Sequence, residues 1–93
     1  MNIHHEINGS KGRYWTRTGD GPMAEVTYSR AGDAMIIIDH TDVPAAYRGQ
    51  GVGVALVAHA VKEARAAGVK ILPLCPFAAA QFRRHADWQD VLK

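Results

Sequence analysis

Three stretches of the chain carry residue types that could do chemistry. The first, Arg48-Gly49-Gln50-Gly51-Val52-Gly53, sets glycines at alternate positions directly ahead of a helical pattern. Glycine lets the backbone turn where a Cβ would obstruct it, and the start of a helix leaves N–H groups without intrahelical partners. Amide donors converging at the positive end of a helix dipole suit an anion, phosphate above all. Arg48 at the edge of the loop can add a charge-assisted contact. The loop is not a Walker A element, which needs Gly-Lys-Ser/Thr, nor the dinucleotide pattern GxGxxG, because Val54 or Leu56, depending on frame, stands where the last glycine belongs. The competing reading is a glycine-rich turn that merely caps an ordinary helix.

The second and third stretches supply groups that could act on a bound substrate. Cys75, the single cysteine, ends a strand pattern just ahead of Pro76. It can form no internal disulfide and fits a reducing cytoplasm. As a thiolate it is a nucleophile, and as a thiol it is a small buried hydrophobe. His40 follows an apolar run, and an imidazole with an unperturbed pKa of about 6.5 suits proton transfer. It shares strand parity with Ile36 and Ile38, which points equally to a hydrogen-bonded core histidine. Glu25 is a second candidate base. His4 and His5 point to opposite faces if extended and have no cysteine partner at zinc-like spacing, so no metal is expected. His59 and His85 read as surface residues, Arg83-Arg84 as a solvated helix face, and Trp15 and Trp88 as packing.

The elements that must position these groups follow from periodicity. Residues 3–7 and 11–18 read as strands joined at Asn8-Gly9-Ser10, a tight hairpin signal. Residues 23–30 alternate, with Ala24, Val26 and Tyr28 on one face and Glu25, Thr27 and Ser29 on the other. Residues 34–41 include the unbroken run Met35-Ile36-Ile37-Ile38, which predicts a central strand covered on both faces. Val54, Val57, Val61 and Ala64 recur at helical spacing, giving a helix over 54–67 stopped by Gly68. A strand over 69–75 then completes a βαβ unit with a right-handed crossover, which places the glycine loop at the carboxyl end of a parallel pair. Pro73 cannot donate to a ladder, so this pair should part near it. A helix over 76–85 with Pro76 in its first turn and a short turn packed by Trp88 and Leu92 end the chain.

Ninety-three residues make one domain, 1–93, which buries somewhat more than about 60% of its unfolded surface. A content of 47% hydrophobic and 22% charged residues is ordinary for a soluble globular protein. No apolar run approaches the roughly 20 residues that span a bilayer, and no secretory segment is visible. A net charge of +2, with its basic residues scattered, does not argue for nucleic acid. The expected location is cytoplasmic, and the expected state a monomer or weak homodimer along an exposed strand.

Taken together, Val43-Pro44, Tyr47-Arg48-Gly49-Gln50-Gly51-Val52-Gly53 and the strand–loop–helix–strand order resemble the acyl-CoA pyrophosphate loop and core of the GNAT superfamily of N-acetyltransferases. His40-Thr41 before Val43-Pro44, and Pro73-Leu74-Cys75-Pro76-Phe77 after the next strand, narrow the resemblance to small single-domain GNAT-like proteins. It covers essentially the whole chain, the first two strands least securely. The resemblance implies an α/β fold with a mixed sheet: antiparallel strands first, then a β-α-β-α unit whose central parallel strands splay. It also implies acetyl-CoA as cosubstrate, with Thr41, Val43, Arg48, Gly49, Gln50, Gly51, Val52, Gly53, Pro76 and Phe82 in its site, and transfer to a primary amine of a small molecule or protein. In that family the cysteine lies beside the thioester, which makes Cys75 a catalytic candidate. His40, the imidazole at the end of the central strand, is the other, as base, and the alternative to a solvated face for Arg83-Arg84 is a contact with the CoA 3′-phosphate. The chain departs from the larger superfamily at Phe82, where many members carry a tyrosine as general acid. Two other functions fit the same loop: a non-catalytic acyl-CoA-binding module, and a plain phosphoanion binder.

Overall fold

Alternation of side chains decides which face of the sheet is buried. In the computed structural model, which describes residues 1–93, five strands form one sheet in the order β1-β2-β3-β4-β5. They are β1 (His4–Asn8), β2 (Lys11–Thr16), β3 (Ala24–Ala31), β4 (Met35–Asp42) and β5 (Lys70–Pro73). The first four are antiparallel and β5 runs parallel to β4. Tyr14, Thr16, Ala24, Val26, Tyr28, Ile36, Ile38 and Ile71 are buried on one face. Helix α1 (Val52–Ala67) covers that face with Leu56, Val57, Ala60, Val61 and Ala64. Helix α2 (Pro76–Arg84) adds Ala78 and Phe82, and a 3₁₀ segment at Ala86–Val91 adds Trp88 and Val91. One apolar cluster takes in all of these residues except the buried hydroxyl residue Thr16.

The long apolar run of β4 does not lie between two layers. Ile36 and Ile38 are buried but Met35 and Ile37 are only half-buried, because all the packed helices lie on one side of the sheet. β4 is central in the sheet yet covered on one face only. The opposite, open face carries charged and hydroxyl side chains: Arg13 bridges Glu6 and Glu25 at 2.8 and 3.0 Å, and the Asp39 carboxylate accepts from Thr27 and Ser29. His4 stacks on Trp15, while its neighbour His5 stacks on Tyr14 beneath the helices, as their parity requires.

Two irregularities shape the carboxyl end of β4. Between β3 and β4 the register shifts by one residue: Tyr28 pairs with Ile38 but Thr27 pairs with His40, so Asp39 is the extra residue of a β-bulge. Between β4 and β5 the last pair is Ile38 with Pro73. The Ile38 carbonyl then accepts the N–H groups of both Leu74 and Cys75, at 3.0 and 3.1 Å. β4 continues to Asp42 along β3 while the segment after β5 turns away into α2. The parting expected at Pro73 is therefore present, and β5 is shorter than the periodicity over 69–75 predicts.

Candidate functional site

The loop after β4 is a 3₁₀ turn, Ala45–Tyr47, followed by a glycine turn that leads directly into α1. α1 starts at Val52, two residues earlier than its apolar spacing suggests, so Val52 and Gly53 lie in its first turn. Gly49 and Gly51 have φ of 79° and 72°, a left-handed conformation in which a Cβ is strained. Gly53 serves a different purpose. A Cβ there would stand 2.8 Å from Phe77 Cζ and 3.1 Å from Val43 Cγ2, so this glycine lets α1 meet α2 and the end of β4 closely.

Most of the loop's amides point away from any acceptor in the fold. Gln50 N–H bonds to the Tyr47 carbonyl, and the first intrahelical bond runs from Ala55 N–H to the Gly51 carbonyl. The N–H groups of Gly49, Gly51, Val52, Gly53 and Val54 have no acceptor within the protein. Tyr47 holds the loop in place: its buried hydroxyl donates to the Pro22 carbonyl at 2.6 Å and accepts the Thr18 N–H at 3.0 Å. That tie to the β2–β3 connection was invisible in the sequence, since nothing in the spacing joins positions 18, 22 and 47.

A groove of about 330 Å³ lies over these amides. Its lining combines Val43, Arg48, Gly49, Gly51, Val52 and Gly53 from the loop side with Phe77, Gln81 and Arg84 from one face of α2. Of the sequence candidates, Gln50 turns its side chain back to the Ala46 carbonyl, and Pro76, the first residue of α2, is exposed outside this lining. Phe82 does not face the groove. It is 2% exposed, packed edge-on against Trp88 in the core, and Phe77 is the aromatic ring at the groove instead. Arg84 lines the groove and Arg83 does not. His85, expected at the surface, stacks on Trp88 with ring centroids 3.9 Å apart.

Cys75 is buried at the head of α2, and its Sγ lies 3.2 Å from Thr41 Oγ1. The bulge at Asp39 is responsible. Without it, His40 would follow Ile36 and Ile38 onto the helix-covered face. With it, Thr41 pairs with Val26 and takes that face, while His40 pairs with Thr27 and is exposed on the open side. His40 is thus neither the core histidine that its parity suggested nor a neighbour of the Cys75 thiol. Glu25 is also on the open face, engaged by Arg13. A larger concavity of about 480 Å³ occupies that face, walled by charged and polar groups including Glu6, Lys11, Arg13 and Asp39, away from the Cys75–Thr41 pair. No helix of the chain is long and apolar enough to cross a membrane.

Val43 and Phe77, each two residues beyond a member of the Thr41–Cys75 pair, line the groove, so the free amides, both arginines and the thiol belong to one region. Known proteins bear on what that region is. No curated protein matches the chain. Among solved structures it is similar to a GCN5-like protein from Staphylococcus aureus determined by NMR, at 31% identity and a TM-score of 0.75, over 99% of this chain and 89% of that one. A family model described as GCN5-related N-acetyltransferase matches residues 13–91, from β2 to the final 3₁₀ segment. The chain belongs to the GCN5-related N-acetyltransferases.

Proposed function

We propose that the protein transfers an acetyl group from acetyl-CoA to a primary amine of a small molecule or protein. The observation that carries this reading is the row of unpartnered amides at Gly49 and at Gly51, Val52, Gly53 and Val54, opening into a groove that Arg48 and Arg84 flank. Backbone donors at a helix start and two guanidinium groups suit the pyrophosphate and 3′-phosphate of CoA. Val43 and Phe77 line the groove, and Thr41 and Cys75, two residues before them, stand where β4 and β5 part, which suits the arm that carries the thioester.

The chain's own residues act on the covered face of β4, where Cys75 meets Thr41. On the covered face, the Cys75 thiolate attacks the acetyl carbonyl carbon. The carbon–sulfur bond to CoA breaks and CoA leaves as a thiolate, feasible unaided because thiols have a pKa of about 8.5. Thr41 Oγ1 orients the Cys75 sulfur. The amine next attacks the acetyl carbon on Cys75, forming the C–N bond, and Cys75 is released as thiolate. The proton that the amine loses passes to water, since His40, exposed on the open face, does not reach the acetyl group beside Cys75. Phe82, without a hydroxyl and buried in the core, has no part in the proton transfers. In the direct alternative the amine attacks the thioester itself and Cys75 only lines the site.

Intact-protein mass spectrometry after incubation with acetyl-CoA tests the reading. A hydroxylamine-labile acetyl adduct on the native chain, absent from Cys75→Ala, supports the covalent route. Non-covalent acetyl-CoA on both proteins, with no adduct, retains the groove and assigns the direct route. Binding by neither overturns the proposal.

A further inference from the structure

Gln81 is the polar side chain of the groove for which the fold itself has no use. It is 4% exposed, and it lines the groove between Phe77 and Arg84, its neighbours at i−4 and i+3 on one face of α2. A carboxamide offers two N–H donors and a carbonyl acceptor. That of Gln81 meets no hydrogen-bond partner within the protein, although the main-chain carbonyl of the same residue is engaged by His85 Nδ1 at 2.7 Å. The carboxamide is therefore left facing the groove, the one direction from which a partner can reach it.

What would pair with it follows from its chemistry. Phosphate oxygens only accept, and the free amides of the loop with Arg48 and Arg84 already provide donors for them. A group that both donates and accepts, as a secondary amide does, matches a carboxamide reciprocally. Resting on the reading of this groove as the CoA site, we propose that Gln81 recognises an amide of the pantetheine arm and separates CoA from ligands that carry only its phosphates. It is a binding and specificity residue, remote from the bond that breaks.

The test compares two ligands on two proteins by isothermal titration: CoA, and adenosine 3′,5′-bisphosphate, which lacks the arm, each with the native chain and with Gln81→Met. Methionine matches glutamine in length and suits a buried site, so the variant should fold and melt at an equal or higher temperature. The expected result is a roughly tenfold loss of CoA affinity in Gln81→Met with the bisphosphate unchanged. Equal weakening of both ligands, or no loss for CoA, overturns the assignment while leaving the groove as the CoA site. Failure of the native chain to bind CoA overturns the reading of the groove, and the role of Gln81 with it.

Discussion

Cys75 Sγ and Thr41 Oγ1 lie 3.2 Å apart, joining the head of α2 to the one stretch of β4 that β5 does not pair. As a thiol, Cys75 donates to the threonine hydroxyl; as a thiolate, it accepts from it. The same contact therefore serves both protonation states and fixes the direction of the sulfur lone pairs.

If the hydroxyl stabilises the thiolate, Thr41→Val should slow alkylation of Cys75 by iodoacetamide about three- to tenfold at neutral pH, the scale of one hydrogen bond. Thr41→Ser should restore the rate. A purely steric role for Thr41 predicts the reverse order, with Val close to native and Ser impaired.

The glycines of the loop should separate by mechanism. Gly51→Ala places an L-residue at φ 72° with nothing within 4 Å of its Cβ, so the cost is backbone strain of about 1 kcal/mol in thermal or urea unfolding. Gly53→Ala has ordinary helical φ, but its Cβ must displace the Phe77 ring. Its effect should fall chiefly on CoA affinity, because Phe77 lines the groove, and a titration beside an unfolding curve distinguishes the two.

Tyr47→Phe removes the hydroxyl that joins the Pro22 carbonyl and the Thr18 N–H. Stability should fall by about 1–3 kcal/mol, the range for leaving a buried partner unsatisfied. Hydrogen exchange should show earlier opening around residues 45–51, with the core of α1 unaffected.

Arg65 clasps Asp90 at 2.7 Å, and this hydrogen bond holds the Asp90 carboxyl below the usual carboxylate range. A lowered folded-state pKa contributes stability above the unfolded value, about 3.9, and that contribution is lost as pH falls through the folded value. Melting temperatures recorded from pH 6 downward should therefore drop less steeply below about pH 4 in Asp90→Asn than in the native chain. The Arg13–Glu6 pair, which lowers Glu6 in the same way, should leave a residual acid slope in that variant.

Much of this architecture is local and was legible in one dimension. Alternation at Ala24, Val26 and Tyr28 and the helical recurrence at Val57, Val61 and Ala64 name the buried faces because period and burial are set residue by residue. Pro73 announces the end of β5 because a missing N–H ends a ladder wherever it falls. Gly49 and Gly51 announce a turn because their φ excludes other residues, and the same stretch carries the family resemblance.

The partners across the chain were decided only in three dimensions. Strand parity put His40 on the covered face, but a bulge is a property of two strands in register, and the extra residue at Asp39 exchanged His40 for Thr41 beside Cys75. The helical spacing of Phe77, Gln81 and Arg84 was visible, yet which face of α2 meets the loop depends on how α2 packs against α1. That packing buried Phe82 against Trp88 and left Phe77 and Gln81 at the groove. The sequence by itself determined the elements and the glycine loop, since these rest on local periodicity and backbone freedom. Tertiary packing determined which side chains share the site, since register and helix rotation arise only when distant segments meet.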